Sequence, residues 1–185
     1  RLSVTTALFS LHQKNTLYNA GVSGQPDLMV PIGEELSRGV EFDVSGRILP
    51  YWSIMANYAF NVAEISKAPE GTKDLNLQRP GTPRHSANLW TKFIVPAGML
   101  RNLGIGVGLN GVSERKGQVG RRENVVAYPG YALLNLALYY KVQEVQIQVN
   151  LNNALNKQYY ISGYDRLRSF PGAPRNINLT INYRF

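Results

Sequence analysis

Two stretches in the second half of the chain collect the side chains best suited to grip a ligand. In "SERKGQVGRREN", Arg115, Lys116, Arg121 and Arg122 outnumber Glu114 and Glu123; in "NKQYYISGYDRLRSFPGAPR", Lys157, Arg166, Arg168 and Arg175 outnumber Asp165 and lie among Tyr159, Tyr160, Tyr164 and Phe170. Arginine offers planar, forked donors, and aromatic rings offer stacking surface, so this mixture suits a bulky anion. A phosphate-rich membrane surface would draw the same cations. Nucleic acid would also want basic and aromatic residues, but no nucleic-acid module is visible, and no such partner is expected.

Other motifs with possible chemistry have structural explanations. Glu41 and Asp43 stand two residues apart on one strand face, as a general acid–base pair could, yet they also suit a polar wall. His12 and His85 stand alone, without metal-ligand spacing or a carboxylate partner pattern. "GVGLNG" satisfies G-x-G-x-x-G through Gly106, Gly108 and Gly111, but it lies within an alternating strand with no helix to follow. "NLT" at 178–180 matches a glycosylation sequon inside a strand pattern. No nucleophile elbow, P-loop or zinc motif is present, and neither enzymatic activity nor a resident cofactor or metal is expected.

The elements that must position these residues are strands. Alternation with a period of two runs through residues 2–13, 39–46, 51–60, 85–95, 103–111, 131–140, 144–152 and 176–185. The last is the clearest: Ile177, Leu179, Ile181, Tyr183 and Phe185 alternate with Asn176, Asn178, Thr180, Asn182 and Arg184. The first is the poorest, because Ala7, Phe9 and Leu11 sit beside Leu8 and Ser10. Three connections are tight, "ILPY", "PAGMLRN" and "KVQE". The other four, near 14–37, 63–84, 114–130 and 153–175, run to roughly 17–24 residues each, too many long loops for a compact soluble domain.

Short turns at one end and long loops at the other are the asymmetry of an outer-membrane barrel. Lipid supplies no hydrogen bonds, so the backbone must pair between strands while outward side chains are apolar and inward ones meet water. The polar positions here are Asn, Gln, Ser and Glu across most strands, and Trp52, Tyr139, Tyr140, Tyr183 and Phe185 stand near strand ends as interfacial girdles would. The 185 residues carry a net charge of +8, a pI near 9.8 and no cysteine, so an anionic partner is expected and disulfide or thiolate chemistry is excluded. No apolar run approaches the roughly 20 residues of a membrane-spanning helix. The expected fold is all-β: an antiparallel transmembrane β-barrel segment of about eight strands.

Several segments add a resemblance. "LSRGVEFDVSGRILPYWSIMANYAF", "RPGTPRHSANLWTKF", "YPGYALLNLALYY", "VNLNNALNKQYYISGY" and "PGAPRNINLTINYRF" are similar to the C-terminal third of ferrichrome-type TonB-dependent siderophore receptors. The elements that carry the similarity are Ser37-Arg38-Gly39-x-Glu41, Pro83-Arg84-His85 followed by Trp90, and Asn152-Asn153 followed by Asn156, Lys157, Tyr159 and Tyr160; the match covers residues 36–185.

The resemblance implies the last eight strands of a 22-stranded barrel, with short periplasmic turns, long extracellular loops, and the plug domain and earlier strands absent from residues 1–185. It implies a bacterial outer-membrane receptor that takes up a ferric siderophore under the action of the TonB complex on the plug. Iron would be carried as ligand rather than cofactor. The ligand-binding candidates become Arg115, Lys116, Arg121, Arg122, Tyr159, Tyr160, Tyr164, Arg166 and Arg168, with lipopolysaccharide as the competing partner of the same loops. Phe185 resembles the aromatic signal read by the barrel assembly machinery. Glu41 and Asp43 would face plug arginines, and lumen-facing glycines would leave room for the plug or permit a bend. The chain opens at Arg1 in mid-pattern, without a leader, so a truncated chain is expected. The alternative is a self-contained eight-stranded outer-membrane barrel with a structural or adhesive role, which requires strand 2–13 to pair with strand 176–185.

Overall fold

The computed structural model describes residues 1–19, 24, 28–68, 70, 76–117, 126–163 and 168–185. Its strands are β1 (Leu2–Asn19), β2 (Met29–Leu49), β3 (Trp52–Lys67), β4 (His85–Ile94), β5 (Leu103–Val112), β6 (Arg115–Lys116), β7 (Ala127–Tyr128), β8 (Tyr131–Val142), β9 (Val145–Asn152), β10 (Tyr160–Gly163), β11 (Ser169–Pro171) and β12 (Asn176–Tyr183). Eight of them form one antiparallel sheet in the order β1-β2-β3-β4-β5-β8-β9-β12. The remaining four form two small hairpins, β6 with β7 and β10 with β11, at the long-loop end. Among the described residues β1 pairs only with β2 and β12 only with β9, so the closure that a self-contained eight-stranded barrel needs is not made.

Register turns the alternation of each strand into two continuous faces. Val40 lies opposite Leu8 and Phe60, Leu89 opposite Ala56 and Leu109, Leu138 opposite Ile105 and Val149, and Leu179 opposite Val149. Every one of these lies on the same side, giving one apolar face across the sheet. The other side carries Asp43, Asn57, Asn88, Asn110, Asn135, Gln148 and Thr180. Crowding distinguishes the two sides: Ala137 and Tyr139 on the polar side are 2% and 9% exposed, whereas Leu138 between them is 52% exposed. Side chains converge on the concave face of a curved sheet, so the polar side is the inner one. Among the described residues no large side chain is fully buried. A wall one sheet thick has no interior, and its apolar face is buried only when lipid covers it.

On the inner face an asparagine ladder crosses four strands. Asn88 donates to Asn57 Oδ1 at 2.8 Å, Asn110 to Asn88 at 2.6 Å, and Asn135 to Asn110 at 2.6 Å. Beside it, Gly104, Gly106 and Gly108 form a trough. A Cβ on Gly106 would meet the Trp90 ring at 2.8 Å and Tyr139 at 3.1 Å, and one on Gly108 would collide with Trp90. Lys92 Nζ lies 3.8 Å from the centre of the Tyr139 ring. Space that the sequence assigns to a plug or a bend is therefore occupied by two rings from neighbouring strands, and Tyr139 belongs to this trough rather than to a lipid-facing girdle.

The sheet is taller than the alternation suggests. Segments assigned to loops at 14–37 and 63–84 continue β1, β2 and β3 as far as Asn19, Met29 and Lys67. Here hydrophobic alternation fades because both faces meet water, and ion pairs take over. His12 Nε2 lies 2.7 Å from Glu34 Oε2, Lys67 Nζ 3.7 Å from Glu34 Oε1, and Arg79 Nε 2.9 Å from Glu35 Oε2. His12 thus does have a carboxylate partner, on the neighbouring strand β2 and 22 residues along the chain, where sequence spacing could not reveal it. The His12 hydrogen bond holds the Glu34 carboxyl below the usual carboxylate range, with Lys67 and Lys14 adding to the effect.

Candidate ligand-binding site at the long-loop end

The β6–β7 hairpin begins as soon as β5 leaves the sheet. Arg115 lies opposite Tyr128, Lys116 opposite Ala127, and Gly117 N–H donates to Val126 O at 2.7 Å. This places Arg115 and Tyr128 side by side, facing the loop that joins β9 to β12. Arg115 is only 7% exposed. Its guanidinium donates to the backbone carbonyls of Tyr160, at 2.6 Å, and Ile161, and lies 5.4 Å from the Tyr131 ring. Burying a cation is costly unless its donors are satisfied, and two carbonyls with a ring face do much of that.

Tyrosine rings complete the contact between the loops. Tyr128 is buried, its hydroxyl is 3.0 Å from Ser169 Oγ, its ring is 5.9 Å from that of Tyr160, and it covers Gly163 so closely that a Cβ there would overlap it. Tyr159 packs at 4.5 Å on Tyr131 and covers Gly172 in the same way. The base of the β9–β12 loop is tied by Asn153, buried and held at φ 48°. Its side chain accepts from Lys157 N–H at 2.8 Å and donates to the carbonyls of Lys157 at 2.9 Å and Ala173 at 3.1 Å. Asn156, at φ 51°, accepts from Arg175 N–H at 3.0 Å. Asparagine tolerates the left-handed region and offers both a donor and an acceptor, which is why these positions suit it.

The candidate residues therefore separate. Arg115, Tyr159 and Tyr160 come together, with Tyr128 and Tyr131, as one clasp between two loops. Arg115 is turned inward to hold backbone, so it positions the loop instead of presenting its charge outward. Lys116 Nζ pairs with Glu114 Oε1 at 2.5 Å. Tyr160 keeps an exposed flank, as do Ile161 and Phe170, and Arg168 is exposed just before β11. Arg121, Arg122, Tyr164 and Arg166 lie outside the described residues. Phe185 lies beyond β12 at the short-turn end, fully exposed, with its ring 6.2 Å from Tyr183. Sequence reasoning missed Tyr128, Tyr131 and Gly163; a tyrosine-rich run opposite a glycine in another loop has no signal along the chain.

The family model for the TonB dependent receptor-like β-barrel matches residues 1–154. The chain belongs to that family. Membership places the wall in the outer membrane, with the short turns on the periplasmic side and the long loops outside. The metal-pseudopaline receptor CntO of Pseudomonas aeruginosa is 30% identical over 190 residues, which cover 99% of this chain and 25% of that protein. The catecholate siderophore receptor Fiu of Escherichia coli K12 is 27% identical over 191 residues, covering 100% of this chain and 24% of that protein. The crystal structure of the siderophore receptor PiuA from Acinetobacter baumannii superposes with a TM-score of 0.81 at 25% identity, over 98% of this chain and 26% of that one. Similarity thus reaches back to the first strand, beyond the segment from residue 36 that carries recognisable motifs. The chain spans about a quarter of the length of the curated relatives it matches.

Proposed function

We propose that these residues form part of the wall and two outer loops of a receptor that takes up a ferric siderophore. The remaining wall and a plug that answers to TonB would belong to the three-quarters of such receptors that the chain does not span. The observation that carries this is the family match, supported by relatives named as siderophore receptors. On this account the chain is not an enzyme, and iron passes through as bound ligand.

The clasp supports a role in ligand capture. It holds the exposed flank of Tyr160, together with Ile161 and Phe170, on a fixed surface at the mouth of the wall. Lys157, Arg168 and Arg175 are exposed in the same loop and would supply positive charge for an anionic chelate. One relative is named for metal-pseudopaline instead of a ferric complex, which makes a different metal complex the second candidate. The test is uptake by the whole receptor in an outer membrane: radiolabelled iron offered as catecholate or pyoverdine-type complexes, with and without a working TonB. TonB-dependent accumulation of at least one ferric complex is expected. No ferric uptake, with uptake of a zinc or nickel chelate, would favour the second candidate; TonB-independent uptake would contradict both.

A further inference from the structure

The asparagine ladder on the inner face does not end within the wall. Asn135, its last rung, accepts the backbone N–H of Asn153 on Oδ1 at 2.9 Å, and the Asn153 side chain ties Lys157 and Ala173 at the base of the β9–β12 loop. Asn57 lies opposite Asn88 and Asn88 opposite Asn110, while Asn135, opposite Gly108, reaches Asn110 diagonally. A run of contacts thus leads from two exposed lumen-facing amides, Asn57 and Asn88, through half-buried Asn110 and Asn135 to buried Asn153.

Every bond in the run points the same way: Asn153 N–H to Asn135, Asn135 Nδ2 to Asn110, Asn110 Nδ2 to Asn88, and Asn88 Nδ2 to Asn57. A primary amide has one accepting end and one donating end, and a backbone N–H can only donate. Asn135 must therefore turn Oδ1 to Asn153 and Nδ2 to Asn110. Asn110 then accepts from Asn135, which leaves its own Nδ2 for Asn88, and the same choice passes on to Asn57. The far end agrees with this direction, since Asp43, whose carboxylate accepts, lies opposite Asn57 on β2. Turning one rung over would set donor against donor and acceptor against acceptor, so the amides share one orientation. The bonds nearest Asn153 are the strongest, because less water competes for them.

We propose that the ladder is a directional coupling element: its lumen-facing amides fix the orientation of Asn135 and, through the Asn153 N–H, set how firmly the β9–β12 loop is held. Its two positions are Asn135 with Oδ1 on Asn153, which holds the loop base, and Asn135 turned over, which releases it. Among the described residues the side chains of Asn88 and Asn110 hydrogen-bond only within the ladder, so they act on the loop without touching it. The coupling holds whichever complex the loops capture.

The test is hydrogen exchange across 154–163 in the complete receptor in outer membranes. There Ala154 N–H on Leu134 O and Asn156 N–H on Asn153 O report on the loop base; folding is checked by heat-dependent gel migration. Asn110→Ala removes the middle rung and should speed this exchange about threefold, within the range of one hydrogen bond. Asn110→Leu, which restores volume but no acceptor, should exchange as fast as Asn110→Ala. Asn110→Asp keeps an acceptor for Asn135 and should stay near the wild-type rate. Asn88→Ala, one rung further from the loop, should act in the same direction by about twofold. Asn61→Ala, on the same face but bonded to Ser37 outside the ladder, should match wild type. Wild-type exchange in folded Asn110→Ala, or recovery with Leu instead of Asp, would overturn the proposal while leaving the receptor account intact. Unchanged exchange in Asn88→Ala would overturn the reach of the coupling to the exposed end. Exchange raised equally by Asn61→Ala would overturn it altogether, because any lost contact on the inner face would then loosen the loop.

Discussion

In the wall, β12 pairs with β9 without a shift from Asn176 opposite Asn152 to Tyr183 opposite Val145. In the loop that joins the same two strands, β10 and β11 meet through three residue pairs with a shift between Tyr160 and Ser162. The wall derives its geometry from a continuous backbone ladder and from lipid on one face, so many apolar side chains would serve at any outward position. The loop has a short ladder and no lipid, and individual side chains give it shape: Asn153 at its base, Arg115 beneath its backbone, Tyr128 and Tyr159 over its glycines. Substitutions should be absorbed in the first region and felt in the second, except where the wall also depends on a specific fit.

That exception gives the largest expected effect. A side chain at Gly108 would displace Trp90, and Gly108→Val should lower receptor stability by about 1–3 kcal/mol or prevent assembly, read as loss of the folded, heat-modifiable band. Next, Arg115→Ala should free the loop at a local cost of about 1–3 kcal/mol by leaving carbonyls unpaired; a spin label at Phe170→Cys would gain mobility while the wall keeps its thermal midpoint. Asn153→Ala should act in the same direction on the loop, through lost bonds to Lys157 and Ala173, with hydrogen exchange rising across 154–163. If either variant left loop and wall equally disturbed, the two regions would not be separable as described.

The smallest expected effect lies where the wall rises above the membrane. Because His12 holds the Glu34 carboxyl below its usual range, the contact contributes above the ordinary carboxylate range and is lost as pH falls through the lowered folded value. Glu34→Gln should therefore speed hydrogen exchange at the tips of β1 and β2 at neutral pH and make no difference in strong acid. A difference that grew on acidification would reverse the sign of this account.

Much of the wall was legible in the sequence because a period of two is imposed independently on each strand by lipid outside and water inside. The pattern of β12 reads directly from Ile177 to Tyr183, and the eight wall strands follow from the same signal. It fails where that environment ends: the tops of β1, β2 and β3 meet water on both sides, so Lys14, Glu34 and Lys67 read as loop. It also fails across strands, since nothing beside Gly106 in the chain announces that Trp90 and Tyr139 will lie over it. For the loops, composition located the right segments and the cation–aromatic chemistry, but not that Arg115 would turn inward. That depends on carbonyls some 45 residues away.

The central claim is that one face of this sheet meets lipid and the other meets water. It is tested most directly by single-cysteine spin labels placed at each position from Ile177 to Asn182 in the complete receptor, in outer membranes, with collision rates measured against oxygen and a water-soluble nickel complex. Residues 1–185 contain no cysteine, and any cysteine elsewhere in the receptor is replaced by serine first. High oxygen and low nickel accessibility at Ile177, Leu179 and Ile181, with lower oxygen accessibility at Asn178, Thr180 and Asn182, is the predicted result. Accessibility without a period of two, or with the polar positions facing lipid, would contradict it.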